Sequence, residues 1–103
     1  MRDPHDTLSQ QRDAEAEEAV VRAKREREVN DLKWMMAHPQ GRRIASRLLE
    51  QAGVMRTSFN HSGSVMAFNE GRRDIGLWFT SEMLDAAPEG YFKLLKEHQG
   101  KDE

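Results

Sequence analysis

The sequence of 103 residues contains no cysteine. This absence excludes disulfide bonds, thiolate nucleophiles and thiolate metal ligands, and it fits a reducing compartment. Long apolar runs are also missing: no stretch reaches the length of a membrane-spanning helix, and the N-terminus has no apolar signal-peptide core. The sequence therefore predicts a soluble protein with no membrane span, present in the cytoplasm where it is made.

A large excess of charge of either sign is absent as well. The 16 Lys and Arg residues nearly balance the 18 Asp and Glu residues, which gives a net charge of −2 and a pI near 6.1. No whole-chain field therefore draws the protein to nucleic acid or to anionic lipid. Charged residues make up 33% of the chain and apolar ones 37%, so its single domain has a small core. Part of the chain is expected to be solvated or to pack on a partner.

The first 30 residues predict a charged helical arm. After a flexible lead-in over residues 1–11, no Gly or Pro occurs between Arg12 and Met36, and Ala, Glu, Arg and Lys predominate. The apolar line through Val20 and Ala23 is interrupted by Arg27, which argues against a coiled coil. The arm is predicted to be solvated or to become ordered on a partner.

Residues 31–99 predict a compact all-α domain, followed by a polar tail over residues 100–103. Leu32, Met35 and Met36 should dock the end of the first helix, which stops before Pro39. A second helix over residues 40–52 should bury a line through Ile44 and Leu48, together with Ala45, Leu49 and Ala52. Gly53 is expected to be its left-handed C-cap.

The stretch Phe68–Leu84 predicts the central helix of this domain, with Asn69 as its N-cap. Apolar residues recur along it at helical spacing, and Trp78 is assigned to the core; they are Phe68, Ile75, Trp78, Phe79 and Met83. Gly71 and Gly76 inside this helix indicate the close approach of a neighbouring helix or chain. A short amphipathic helix follows Pro88, so the domain has three to four helices. Residues 54–67 form either a short two-stranded hairpin or an ordered loop.

No pattern in the sequence predicts catalysis or a metal or cofactor site. The four histidines lie far apart in the chain, and none forms a ligand pair with a second His or a carboxylate on one helix face. The loop over residues 57–62 contains Thr57, Ser58, His61 and Ser62, but it lacks an oxyanion-hole signature. No Gly-rich nucleotide fingerprint is present. We therefore predict a protein that is not an enzyme, and an enzyme using this loop is the opposing hypothesis.

Arginine is the residue type that most strongly suggests a contact surface. If the second and central helices start side by side, their arginines form one basic rim for phosphate or for an acidic partner. The alternative is a solvated face paired locally to Glu50, Glu70 and Asp74. Trp34 either bridges to the domain or is exposed for a partner. The candidate contact residues are Arg42, Arg43, Arg47, Arg56, Arg72, Arg73 and Trp34.

Several short motifs between Asp31 and Lys96 resemble a known family. They are Gly41-Arg42-Arg43, Leu48-Leu49-Glu50, Gly53 to Phe59, and Phe68-Asn69-Glu70-Gly71-Arg72-Arg73-Asp74-Ile75-Gly76-Leu77, and the Phe-Asn-Glu-Gly-Arg-Arg element is the most specific. The family consists of small proteins encoded in the virion-structure gene block of tailed, mainly short-tailed, bacteriophages, and was first noted in a Bordetella phage.

The resemblance implies a non-enzymatic virion-associated structural or accessory protein, or an assembly factor. Such a protein would lie near the portal, or inside the head and be ejected with the genome. Its implied partners are other virion proteins in a homo- or hetero-oligomer, and its implied locations are the host bacterial cytoplasm during assembly and the virion. No catalytic residue is implied. The alternative is a binding module that contacts nucleic acid or a host protein through the arginines.

Overall fold

The computed structural model describes residues 4–98, with side chains from residue 7 onwards. Over this range the chain forms four helices: α1 (Pro4–Ala37), α2 (Pro39–Ala52), α3 (Gly63–Ala86) and α4 (Pro88–His98). No strand occurs among the described residues. The prediction of an all-α fold is confirmed. Within residues 4–98 each helix is too short or too polar to span a bilayer.

The chain divides into two units, one up to Asn30 and one from Asp31 onwards. In the first unit α1 begins at Pro4, so the predicted flexible lead-in is wrong for residues 4–11. Proline is tolerated in the first helical turn, and no helix breaker follows it. Leu8 and Val20 are 54% and 68% exposed, which shows that this part of the helix buries little apolar surface of its own.

The core of the second unit takes one or more side chains from every helix. Met36, Ala45, Met83 and Leu94 are buried together. Leu32 and Met35 pack against this cluster, as does Tyr91 of α4. The prediction that the end of α1 docks on the domain is therefore confirmed for Leu32, Met35 and Met36.

The buried face of α2 differs from the predicted one. Ile44 and Leu48 are 54% and 52% exposed, whereas Gly41 and Ala45 are buried and Leu49 is half-buried. Small residues on the packed face allow the backbones to approach closely, which leaves the two larger side chains outside. The predicted line through Ile44 and Leu48 is wrong, and the predicted contributions of Ala45 and Leu49 are confirmed.

The helix α3 begins six residues before the predicted N-cap. Ser62 is the N-cap, and its hydroxyl accepts a hydrogen bond from the Val65 N–H at 3.5 Å. Asn69 therefore lies within the helix, where its side chain donates to the Ser58 carbonyl at 3.5 Å. Of the two alternatives for residues 54–67, the hairpin is wrong. An irregular connection runs from Gly53 to Ser62, and α3 takes up the rest.

The apolar residues of α3 are only partly used in the core. Met83 is fully buried and Phe79 packs on the core cluster, but Phe68, Ile75 and Trp78 are 64%, 66% and 60% exposed. The assignment of Trp78 to the core is wrong. At Gly76 the neighbouring segment comes so close that an added Cβ atom would lie 2.7 Å from the Ala52 Cβ atom. The prediction of close approach is confirmed there and wrong at Gly71, which has open space around it.

Candidate functional site

Arg42 joins the first turn of α2 to α4 and to the end of α1. Its side chain is buried, and its Nε–H donates to the Glu97 carboxylate at 2.6 Å. An Nη1–H donates to the Met36 carbonyl at 2.8 Å, which satisfies a carbonyl group at the end of α1. These two contacts place Arg42 in the framework of the second unit, and its guanidinium is not on the surface as a candidate contact residue would be.

The C-terminal end of α2 is closed by a left-handed glycine and an arginine. Gly53 has φ 72° and ψ 33°, and its N–H donates to the Leu49 and Glu50 carbonyls at 3.1 Å each. The C-cap prediction is confirmed. Arg56, three residues further along the chain, donates to the Glu50 carbonyl at 2.7 Å. A cation at this position is favourable because the helix macrodipole is negative at its C-terminus.

Arg72 of α3 reaches the same end of α2. Its guanidinium donates to the Gln51 carbonyl and lies 5.5 Å from the centre of the Phe68 ring. The helices α2 and α3 run antiparallel, since the last turn of α2 lies beside Arg72 and Gly76 while Ala45 shares the core with Met83. Arg72 is therefore held at two places, by a backbone acceptor and by an aromatic face.

These two arginines line a cleft of about 290 Å³ together with Arg73, Glu50 and Thr57. Arg73 is half-buried, and no hydrogen bond or ion pair connects its guanidinium to another group within residues 4–98. Arg56 and Arg72 are anchored by the carbonyls of α2 and keep further N–H donors, because a guanidinium carries five. The cleft therefore combines two fixed cations with a third that has no described partner.

Loop hydroxyl and amide groups form the remaining wall of the cleft. Ser58 and Asn69 line it: the Ser58 hydroxyl donates to the Glu70 carboxylate, and the Asn69 amide donates to the Ser58 carbonyl at 3.5 Å. The Thr57 hydroxyl accepts from the Phe59 N–H at 3.2 Å. These contacts fix the loop against α3, so the polar groups around the cleft have defined positions.

The structure separates the arginines that the sequence placed on one rim. Arg43 and Arg47 are exposed on α2, Arg42 is buried at its start, and Arg72 lies beside its last turn. The condition for a single rim, that the two helices start side by side, is not met because the helices are antiparallel. Only Arg56, Arg72 and Arg73 come together.

Trp34 and the histidines do not join this cleft. Trp34 is 68% exposed, its ring centre lies 4.9 Å from that of His38, and the His38 Nδ1–H donates to its carbonyl at 2.6 Å. Of the two alternatives for Trp34, exposure is the one observed. His61 packs edge-on against Phe59 with ring centres 5.6 Å apart. Within the described part of the chain no three His, Asp or Glu residues converge in a way that could hold a metal ion.

The cleft also contains polar residues that were not among the candidate contact residues, and they include Thr57, Ser58 and Asn69. The sequence does contain a signal for them. Arg56 follows a C-capping glycine by three residues, which points its cation to the end of α2 and marks the adjoining hydroxyls as its neighbours. The contribution of Asn69 depends on the true start of α3 and therefore on the tertiary structure.

One comparison with known proteins identifies the family of the chain. A family model described as Bbp19-like phage protein matches residues 32–96, which are nearly all of the second unit. Neither the curated proteins nor the solved structures contain a match to the chain. The matched segment includes the core cluster and the arginine cleft. Since this match covers more than half of the sequence, the chain belongs to the Bbp19-like phage protein family.

Proposed function

We propose that this phage protein is a non-enzymatic structural or accessory component of the virion, or an assembly factor for it. It acts near the portal, or inside the head from which it is ejected with the genome. Its partners are other virion proteins, with which it forms a homo- or hetero-oligomer. It is made in the host cytoplasm and carried into the particle.

The observation that carries this proposal is the apolar surface of the second unit. Ile44, Leu48, Phe68 and Ile75 are each more than half exposed, although the whole core cluster contains only four buried side chains. Contiguous exposed apolar side chains mark surfaces that contact other proteins, whereas single ones do not. Ile44 and Leu48 are one turn apart on α2, and Phe68 and Ile75 are two turns apart on α3, so each pair lies on one side of its helix.

Mass spectrometry of purified particles tests the proposal. The protein should be present at a fixed copy number in washed virions, and its loss after genome release would identify it as an ejected component. Its presence in assembly intermediates and absence from finished virions would identify an assembly factor. Absence from virions and from every assembly intermediate would contradict the proposal.

A pair of variants tests the part played by the apolar surface. Replacing Ile75 by Ser should lower the copy number in particles several-fold, because it removes apolar area from the contact. Asp74→Ser changes the adjacent exposed residue of α3 and should have no effect. Both proteins should keep wild-type helix content by circular dichroism. Equal incorporation of the two variants would show that Ile75 lies outside the contact.

A second candidate function is a binding module that contacts nucleic acid or a host protein through arginine side chains. The convergence of Arg56, Arg72 and Arg73 on one cleft favours it. Nucleic-acid binding would weaken steeply as salt is raised, because the contacts release condensed counterions. Affinity that does not change with salt concentration would remove the nucleic-acid version of this function.

A further inference from the structure

We propose that the cleft between the end of α2 and the first half of α3 binds a phosphate dianion, with Arg73 as its principal ligand. The assignment deepens the second candidate function and rests on it only for the source of the phosphate. A terminal phosphomonoester of a nucleotide or nucleic acid and free inorganic phosphate present the same dianion. This assignment is independent of the virion role.

The charge of the cleft matches such a ligand. The lining residues include three arginines and one carboxylate, that of Glu50, so they carry a net charge of +2. The Glu70 carboxylate, which accepts from the Ser58 hydroxyl, is not among the lining groups. A phosphomonoester carries about −1.5 to −2 at neutral pH. A lone carboxylate carries a single negative charge and has two acceptor oxygens rather than three, so it would leave part of the cation charge and several N–H donors unmatched.

The side chains of Arg56 and Arg72 are already held in position by the protein. Arg56 donates to the Glu50 carbonyl at 2.7 Å, and Arg72 donates to the Gln51 carbonyl while lying over the Phe68 ring. In each case the hydrogen bond comes from one terminal Nη2 group, so the guanidinium keeps further N–H donors for a ligand. A ligand that meets fixed donors does not have to order two long side chains, which lowers the entropy cost of binding.

Arg73 supplies the observation that points to a ligand. It is half-buried in the cleft wall and has no partner within the described residues, whereas Arg42, the buried arginine of the same unit, has a carboxylate and a carbonyl. Partial burial of a guanidinium is unfavourable unless its donors are satisfied. A phosphate group in the cleft would supply the acceptors that the chain does not.

The size of the cleft and its polar wall fit one phosphate group. The volume of about 290 Å³ holds a phosphate with a few waters but not a folded peptide segment. Thr57 adds a hydroxyl and Asn69 an amide on the side facing the loop, whereas the Ser58 O–H already donates to the Glu70 carboxylate. Guanidinium forks combined with hydroxyl and amide donors are a common arrangement for phosphate oxygens.

The test is a titration of the full chain, followed by NMR of the arginine Nε–H signals, at constant ionic strength. The probes are inorganic phosphate, a nucleoside 5′-monophosphate, the matching nucleoside without phosphate, and a short acidic peptide. We expect saturable binding of both phosphates, with shifts of the Arg73 and Arg56 signals, and no binding of the nucleoside. Tighter binding of the monophosphate than of inorganic phosphate identifies a nucleotide source, and equal binding identifies free phosphate.

Variants of the full chain assign the site. Arg73→Gln should weaken phosphate binding at least tenfold, and Arg73→Lys should weaken it less, because it keeps the charge but loses the fork. Arg43→Gln, on the exposed side of α2, should leave the affinity within twofold of wild type. If Arg73→Gln does not fold, Arg73→Lys and Thr57→Val are measured instead, and both are expected to weaken binding.

Three results would overturn the assignment. The first is an equal phosphate affinity of the Arg73→Gln and Arg43→Gln variants. The second is a set of NMR shifts that do not saturate and that chloride also produces. The third is binding of the acidic peptide without binding of phosphate. Nucleic-acid binding that survives Arg73→Gln but is lost on replacing Arg43 and Arg47 would support the second candidate function and reject the cleft. These experiments therefore distinguish an error in the assignment of the phosphate site from an error in the second candidate function.

Discussion

At the scale of single residues, small side chains decide how closely α2 and α3 approach. Ala45, Ala52 and Gly76 occupy the packed faces of the two helices, while Ile44 and Ile75 lie outside. Apolar size alone would predict the opposite placement. Where two helix backbones approach closely, only small side chains fit between them, because the interior is densely packed and tolerates little extra volume.

Two glycines in the same helix provide a matched test of this conclusion. Gly76→Ala should lower the free energy of unfolding by about 1–3 kcal/mol, because the new methyl group meets the Ala52 and Val54 side chains. Gly71→Ala, with open space around it, should raise that free energy by up to about 1 kcal/mol through helix propensity. Urea unfolding followed by circular dichroism measures both. Equal changes in the two variants would contradict the close packing at Gly76.

Arg42 is predicted to act through stability and not through binding. Arg42→Met should lower the free energy of unfolding by about 1–3 kcal/mol, because it removes the bonds to the Glu97 carboxylate and the Met36 carbonyl. The control Arg43→Met, at an exposed position, should change it by less than about 0.5 kcal/mol. Thermal unfolding of the pair measures the difference. A loss no larger for Arg42 than for Arg43 would show that the buried pair contributes nothing.

At the scale of elements, the boundaries of the helices depend on capping residues. Gly53 ends α2 in a left-handed conformation, Ser62 begins α3, and Pro88 begins α4 directly after Ala87. The first and the last of these signals can be read from residue type alone. Ser62 competes with Asn69 as an N-cap, and its selection extends α3 by seven residues toward the loop that lines the arginine cleft.

Loss of this cap should loosen the first turn of α3. Ser62→Ala removes the acceptor for the Val65 N–H and should lower the free energy of unfolding by about 0.5–1 kcal/mol. Hydrogen exchange at the Val65 amide should become faster, and Ser81→Ala, at an exposed position inside the same helix, should leave that rate unchanged. An unchanged Val65 exchange rate in Ser62→Ala would place the start of α3 elsewhere.

At the scale of the whole molecule, every residue of the core cluster and of its partly buried neighbours follows Asp31. Residues 7–24 are exposed throughout. We propose from this that residues 31–103 form an independent folding unit. Helices in proteins gain most of their stability from packing an apolar face, and residues 7–24 pack none. We therefore propose that residues 1–30 serve as a contact arm for a partner.

Deletion of residues 1–30 tests this division. The shortened chain should unfold cooperatively, with a free energy of unfolding within about 1 kcal/mol of the full chain, because its core is intact. Deletion of residues 1–36 also removes Met36 from the core and should cost about 2–5 kcal/mol more. Urea unfolding of the three chains measures these values. If the chain that begins at Asp31 does not fold, residues 31–103 are not an independent folding unit.

The sequence by itself determined the fold class, the approximate number of helices, the docking of the end of α1 and the C-cap at Gly53. These features follow from local rules: helix propensity, the apolar spacing of Leu32, Met35 and Met36, and the conformational freedom of glycine. The resemblance through the Phe-Asn-Glu-Gly-Arg-Arg element also identified the family that the match over residues 32–96 confirmed.

Only the tertiary structure decided which apolar residues are buried and which arginines meet. Ile44, Phe68, Ile75 and Trp78 have helical spacing typical of a core, yet each is exposed because the helices pack through Gly76 and alanines. Arg72 and Arg73 join Arg56 because α2 and α3 are antiparallel. Periodicity along one helix cannot specify which of its faces a neighbour covers, and pairings between distant segments depend on that choice.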